Sequence, residues 1–303
     1  MRTNRTEQEI MKNWTTERSP VVSICCLTYN HEKYISETIN SFLMQDTIFP
    51  FEVLLHDDAS TDMTKKIIMG YVEKYPHIIK PIFQTENQYS KGIRPLPIIF
   101  KKASGQYLAL CEGDDYWTDP DKLQKQIDFL ENNPDYVITY TDCEFFDSTG
   151  KLENTGLGAK RDLEAIELQK CTPINTLTVC FRNVLKDTPP ELQGARIGDL
   201  CIWSLLGHYG KGKFLGDIKP AKYRIHDGGI FSKKNRQQRL IMWQITCGAL
   251  YAYYNRLNNQ ELADYFHEKN MLLTLRLVGF FPLLKIILKN ILTKFSRPLP
   301  INP

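Results

Sequence analysis

The sequence predicts an α/β fold: a central, mostly parallel sheet with helices on both faces, followed by a helical extension at the C-terminus. Three observations carry this expectation. Apolar runs of strand length recur at residues 21–28, 51–55, 78–84 and 107–111, and the first two are continuous rather than alternating, as in strands buried on both faces. Amphipathic helical patterns separate them, an alternation that yields parallel strands joined by right-handed crossovers. Each run also ends in a polar cluster, and the carboxyl edge of an open parallel sheet is where ligands bind.

Taken in order, the run 21–28 breaks at Thr28-Tyr29-Asn30-His31. A helix is expected over 32–44, with Ile35, Ile39, Phe42 and Leu43 on one face. The second strand ends in His56-Asp57-Asp58-Ala59-Ser60-Thr61-Asp62, where Ser60 and Asp62 read as formers of the helix start over 63–75. The third strand leads into a polar loop at 85–91, then a short helix near 97–103. The fourth, 107–111, discharges Glu112, Asp114 and Asp115 into one turn. The next helix, 119–132, reads as capped by Asp119 with Pro120 at its first position. Three clustered carboxylates repel one another, and a hard cation such as Mn²⁺ or Mg²⁺ relieves that repulsion.

Four loops therefore meet at one sheet edge with residues that suit a nucleotide. Tyr29 offers an aromatic face, Asp57 an acceptor for a base or ribose donor, and Lys91 and Arg94 cations for phosphates. The bulk numbers are ordinary: 303 residues, 42% hydrophobic, 24% charged, net charge +3. That charge is too small to imply nucleic acid. Eight cysteines lack CxxC spacing, and several sit inside apolar runs, which suits a reducing cytosol better than a disulfide framework. Residues 1–18 are polar and carry no secretory pattern, so the expected location is cytoplasmic, at the inner face of the cytoplasmic membrane.

The segments Val22-Ser-Ile-Cys-Cys-Leu-Thr-Tyr-Asn30, Leu55-His-Asp-Asp-Ala-Ser-Thr-Asp62 and Cys111-Glu-Gly-Asp-Asp-Tyr-Trp117 resemble, in order, the N-terminal signatures of the family 2 glycosyltransferases of GT-A fold. The resemblance is to members of the bacterial polysaccharide- and glycolipid-synthesis type and implies a Rossmann-like architecture. The resemblance covers about residues 20–230. It implies an inverting, metal-dependent transfer from a nucleotide-sugar, a UDP-sugar above all, to a hydroxyl of a glycan or lipid-linked glycan. Thr28, Tyr29, Asn30, Glu32, Asp57, Lys91, Arg94, Glu112, Gly113 and Asp114 would then bind the donor. Glu112 and Asp114 match the family's Asp-x-Asp, with Glu in the first place. Asp114, Glu112 and His226 would be the metal ligands.

In the second half, a strand is expected over 136–145, a loop over the site at 147–162 and a strand at 178–181. Asp199, after a glycine and before an apolar helix, reads locally as an N-cap; the resemblance makes it the catalytic base. A strand at 222–225 ends at His226, in a segment resembling the family's Tyr-Arg-x-His. The implied domains are a polar arm (1–18), a glycosyltransferase domain (19–232, divided into a nucleotide half 19–117 and an acceptor half 118–232) and a helical extension (233–303). Two helices are expected at 239–255 and 259–275, then an amphipathic tail. Leu, Ile and Phe fill the tail, but Arg276, Lys285 and Lys289 interrupt it too often for a membrane span. It suits peripheral contact with an anionic membrane surface; the rival reading is a helix packed on the enzyme's own core or on a partner subunit. Two rivals share the fold. A sugar nucleotidyltransferase would need a glycine-rich loop after the first strand, which this chain lacks. An inactive nucleotide-sugar-binding scaffold would have no use for Asp114 and Asp199.

Overall fold

The computed structural model describes residues 5–15, 19–152, 158–229, 234–282, 284–285 and 288–289. They fall into two compact units: Met1–Thr188 with Ile202–Ser232, and Pro189–Cys201 with Lys233–Pro303.

The first unit is built on a seven-stranded sheet in the order β3-β2-β1-β4-β8-β5-β9. Its strands are β1 (Val22–Thr28), β2 (Phe51–Asp57), β3 (Ile79–Phe83), β4 (Tyr107–Leu110), β5 (Tyr136–Tyr140), β8 (Cys180–Arg182) and β9 (Lys211–Phe214). β1 pairs in parallel with β2 and β4, and β2 with β3. β8 runs antiparallel between β4 and β5. The continuous apolar runs are explained by burial on both faces: every residue of β2 is buried, as is β1 apart from Leu27.

Helices α2 (Ile35–Leu43), α3 (Thr64–Lys74), α4 (Pro95–Phe100) and α5 (Lys122–Asn132) fill the crossovers. Ile35, Ile39, Phe42 and Leu43 are all fully buried, and Phe42 meets Trp117 edge-on at 4.9 Å. Truncating any one of these to Ala would cost about 2–5 kcal/mol. A short α1 (Glu7–Met11) lies in what the sequence presents as a polar arm. It buries Ile10 in the core, while Trp14 packs edge-on against Phe51.

Several local expectations give way to longer-range contacts. Asp119 does not cap α5: its carboxylate accepts the Asp121 N–H at 3.0 Å and the Lys219 N–H at 2.9 Å. That binds two distant turns, so the helix starts at Lys122 and Pro120 stays in the preceding turn. The strand expected over 136–145 is two strands. Asp142 accepts the Cys143 N–H and breaks the run, and β6 (Cys143–Asp147) leaves to join a second sheet. That sheet has the order β10-β6-β7, with β7 (Gly150–Lys151) and β10 (Ala221–Arg224). The loop expected at 147–162 is partly the β6–β7 hairpin; residues 153–157 lie outside the described residues. α6 (Ala165–Gln169) follows.

The second unit holds the first residues of α7 (Gly198–Leu206), together with α8 (Arg236–Arg256) and α9 (Gln260–Val278). Asn235 and Gln238 form a capping box at the start of α8. Asn258, in the left-handed region at φ 55°, lies in the turn to α9. Tyr254 stacks on Phe266 at 5.7 Å between the two helices. The Thr246 hydroxyl of α8 accepts the N–H groups of Arg196 and Ile197, both at 3.1 Å, and so fixes the entry to α7. No helix among the described residues is long and apolar enough to cross a membrane. All eight cysteines are buried free thiols.

Candidate active site

Strand register sets the first side of the site. Thr28 at the end of β1 stands beside Asp57 at the end of β2, and Asp57 beside Phe83 of β3, just before Gln84. The loops after β1 and β2 are then laced together. Asn30 adopts φ 55°, which Asn tolerates better than most residues. Its N–H donates to Ser60 Oγ at 2.8 Å, and its side-chain oxygen accepts the Thr61 N–H at 2.8 Å. Glu32 donates its N–H to Asp62 and accepts the Met63 N–H, both at 3.0 Å. The side chains of Asn30 and Glu32 thus brace the two loops against each other.

Ser60 and Asp62 do more than start a helix. The Ser60 hydroxyl and N–H both donate to the buried Asp57 carboxylate. Burial pushes the Asp57 carboxyl above the usual range, and the Ser60 bonds only partly offset that. Asp58 accepts the N–H groups of Gln88 (2.7 Å) and Tyr89 (3.0 Å), holding the turn Tyr89–Lys91 near the sheet edge. Lys91 in that turn is exposed and paired with Glu86; Arg94 occupies the N-cap position of α4.

The acidic turn after β4 supplies the second side. Gly113 donates its N–H to Leu27 O at 2.8 Å, and the Thr38 hydroxyl bonds the carbonyls of Gly113 (3.0 Å) and Asp115 (2.7 Å). A Cβ on Gly113 would lie 2.8 Å from the Thr28 side chain and 2.9 Å from His31 Nδ1, so only glycine allows this approach. Thr28 Oγ1 and His31 Nδ1 are both buried without a hydrogen-bond partner.

The three carboxylates of the turn have different surroundings. Asp115 is buried and accepts the Arg224 N–H at 2.7 Å; burial, with Asp114 and Glu112 alongside, pushes its carboxyl well up. Asp114 meets His226 Nε2 at 2.9 Å and His31 Nε2 at 3.7 Å. Burial pushes the Asp114 carboxyl up, but the His226 hydrogen bond and the neighbouring His31 and His226 rings outweigh it and hold it below the usual range. The Gly228 N–H donates to His226 Nδ1 at 3.1 Å, and His226 Nε2 faces Asp114. Burial pushes His31 down, toward the neutral imidazole.

His31, Asp114 and His226 present ligand atoms within 4.8 Å of one another. Two imidazole nitrogens and a carboxylate fit a divalent transition metal such as Mn²⁺, and His31 Nε2 faces Asp114 without reaching hydrogen-bond distance. Glu112 is not among these three.

Local sequence pattern singles out neither His31 nor Arg224 as a site residue. His31 was legible as the fourth residue of the Thr-Tyr-Asn-His break. Arg224 was not, because its partners are remote. It donates from Nε to Asp114 O at 2.9 Å and from Nη2 to Glu37 at 2.6 Å. Its guanidinium lies 4.7 Å from the Tyr34 ring centroid and 4.5 Å from that of Phe146. In the second unit, Asp199 sits within the first turn of α7 rather than at its N-cap, and its Oδ1 accepts the Leu200 N–H at 2.9 Å.

Comparison with known proteins bears on this arrangement. Over 164 residues the chain is 39% identical to an uncharacterized protein of Mycobacterium tuberculosis, covering 53% of this chain and 46% of that one. It therefore spans about half the length of that relative. It is 30% identical over 227 residues to TuaG of Bacillus subtilis, named for a proposed glycosyltransferase role in teichuronic acid biosynthesis (74% of this chain, 85% of that one). Among solved structures it resembles S. aureus TarS in complex with UDP-GlcNAc, with TM-score 0.56, 20% identity, and coverage of 75% of this chain and 66% of that chain. That likeness shows a shared fold. The family model for glycosyl transferase family 2 matches residues 23–187, from β1 through the acidic turn to β8 and just beyond. That span is more than half of the sequence and takes in all three motifs at the sheet edge, so the chain belongs to glycosyl transferase family 2.

Proposed function

We propose that the protein transfers one sugar from a UDP-sugar to a hydroxyl of a glycan or lipid-linked glycan, inverting the anomeric carbon. The observation that carries this reading is the meeting of Asp114, His226 and His31 at the sheet edge where Thr28 and Asp57 end their strands. Diphosphate and nucleoside would lie across neighbouring loops of that edge. The complex of the TarS neighbour with UDP-GlcNAc supports a UDP-sugar as donor, and the TuaG relative, named for teichuronic acid biosynthesis, supports a polysaccharide product.

In this mechanism Asp57 accepts a donor hydrogen from the base or ribose, and Tyr29 lies against the base. Lys91 and Arg94 contribute positive charge toward the phosphates. Asp114 and His226, with Glu112 adjacent, would hold a divalent cation, Mn²⁺ or Mg²⁺, which when bound neutralises charge on the leaving diphosphate. Asp199 takes the proton of the acceptor hydroxyl as its oxygen bonds to the anomeric carbon and the carbon–phosphate oxygen bond breaks. The C-terminal segment carries exposed Phe280, Phe281, Leu284 and Leu288 together with Arg276, Lys285 and Lys289. These are apolar wedges and cations suited to an anionic membrane surface, where a lipid-linked acceptor would be found.

The test is release of UDP from a panel of UDP-sugars in Mn²⁺. Slow release without acceptor and faster release with a glycan acceptor are expected. Pyrophosphate chemistry instead of UDP release would make the protein a nucleotidyltransferase, and binding without any turnover would make it a scaffold.

A further inference from the structure

We propose that His31 is a third protein ligand of the divalent cation, alongside Asp114 and His226, an assignment that rests on the metal-dependent reading above. Its Nε2 faces the same Asp114 oxygen that His226 reaches, at 3.7 Å. That separation is too long for a hydrogen bond.

The ring is held in place from several directions. The His31 N–H donates to Thr64 Oγ1 at 2.8 Å, and its carbonyl accepts the N–H groups of Tyr34 and Ile35, both at 2.9 Å. The imidazole packs edge-on to Tyr34 at 6.3 Å and to His226 at 6.1 Å. Gly113 leaves the gap into which Nδ1 projects. Yet this fixed, largely buried ring satisfies neither nitrogen: Nδ1 has no hydrogen-bond partner, and Nε2 stops short of Asp114. A histidine retained only for packing would normally find a bond for a buried ring nitrogen. His226, by contrast, has a hydrogen-bond partner at both nitrogens, Asp114 at Nε2 and the Gly228 N–H at Nδ1. His31 is thus the imidazole of the pair with no prior engagement.

Adding a second imidazole changes which cation the site prefers. Mg²⁺ takes oxygen ligands and keeps its waters, whereas transition ions accept imidazole. The site should therefore favour Mn²⁺ over Mg²⁺, and His31 should be a source of that preference.

The experiment uses the full-length protein with Mn²⁺ or Mg²⁺, each with and without UDP. Calorimetric titration of wild type and His31→Gln should show Mn²⁺ affinity falling at least ~10-fold in the variant. Mg²⁺ affinity should fall less, so that the Mn²⁺/Mg²⁺ ratio shrinks, with unchanged far-UV circular dichroism. Pulsed EPR of bound Mn²⁺ counts imidazole nitrogens directly: two histidines are expected in wild type and one in His31→Gln. Two coupled histidines in wild type support the assignment even if the variant folds poorly, and if only one is seen, His226→Gln shows which ring it is. A histidine coupling that is unchanged between wild type and a folded His31→Gln, or a folded variant that binds Mn²⁺ as wild type does, overturns the role of His31 alone. A wild type that binds no divalent cation, with UDP or without, overturns the metal-dependent reading and this assignment with it.

Discussion

Asp114 and His226 meet at 2.9 Å across 112 residues of chain, joining the turn after β4 to the turn after β10. The contact depends on the second sheet. Tyr116 forms a β-bridge with Lys222, and Arg224 of the same strand grips both Asp114 and Asp115. Whatever moves β10 therefore moves the acidic turn after β4.

The charge of Asp114 is the first point to test. Asp114→Asn keeps the shape but removes the charge that a cation needs. UDP release in Mn²⁺ should fall at least ~10²-fold, with little change in thermal midpoint. Full activity of chelator-treated wild type would show that no metal is involved.

Arg224 acts as a positioning residue. Its guanidinium is planar, lies close to aromatic rings and bonds two segments at once, a combination that lysine does not reproduce. Arg224→Lys should destabilise the fold by about 1.5–3 kcal/mol in urea titration, and UDP binding should weaken as the acidic turn loosens. Equal stability of the Lys variant would mean that charge alone suffices.

Lys122 makes stability depend on pH. Its ammonium is buried 4.6 Å over the Trp117 ring, bonded to the Thr178 carbonyl and Gln126. Burial pushes its pKa down to about 8 from an ordinary 10.5. At pH 7 both folded and unfolded chains hold the proton, and the full cost of burying the charge is present. Between pH 8 and 10.5 the folded chain releases the proton while the unfolded chain keeps it, so this group's contribution to stability rises with pH, by roughly 3 kcal/mol at most. Subtracting the stability curve of Lys122→Met from that of wild type isolates this slope from the cysteines that titrate nearby. A flat difference between pH 7 and 10 would rule it out.

Asp199 separates base from brace. Asp199→Asn should cut turnover at least ~10²-fold and leave donor affinity nearly unchanged. If donor binding and thermal midpoint fall together instead, the carboxylate serves the start of α7 rather than the chemistry.

The tail is best cut after Gly279, because Leu273 of α9 is buried and Thr274 accepts a bond from Gln244. The truncated protein should keep UDP-sugar hydrolysis but lose binding to anionic liposomes and transfer to a lipid-linked acceptor. Binding by the intact chain should weaken with salt. Aggregation of the truncated form, with no liposome binding by the intact one, would identify the segment as core or as a protein interface.

The sequence by itself determined the alternation of strand and helix, because periodicity is a local property. A continuous apolar run such as β2 suits only a position buried on both faces, and Ile35, Ile39, Phe42 and Leu43 share a face at any helical pitch near 3.6. It also determined that Thr28, Asp57 and the acidic turn would end their strands at one edge, since parallel strands share a direction. Only the tertiary structure decided which side chains meet there. Local pattern makes Asp119 a helix cap, yet it spans to Lys219; the same pattern makes the run after Tyr136 one strand, yet it divides between two sheets. Arg224 looked like one polar residue in a short strand until three aromatic rings and Glu37 surrounded it. His31, Asp114 and His226 come together because strand order and the second sheet bring three chain-distant turns to one point, and no spacing within the chain encodes that convergence.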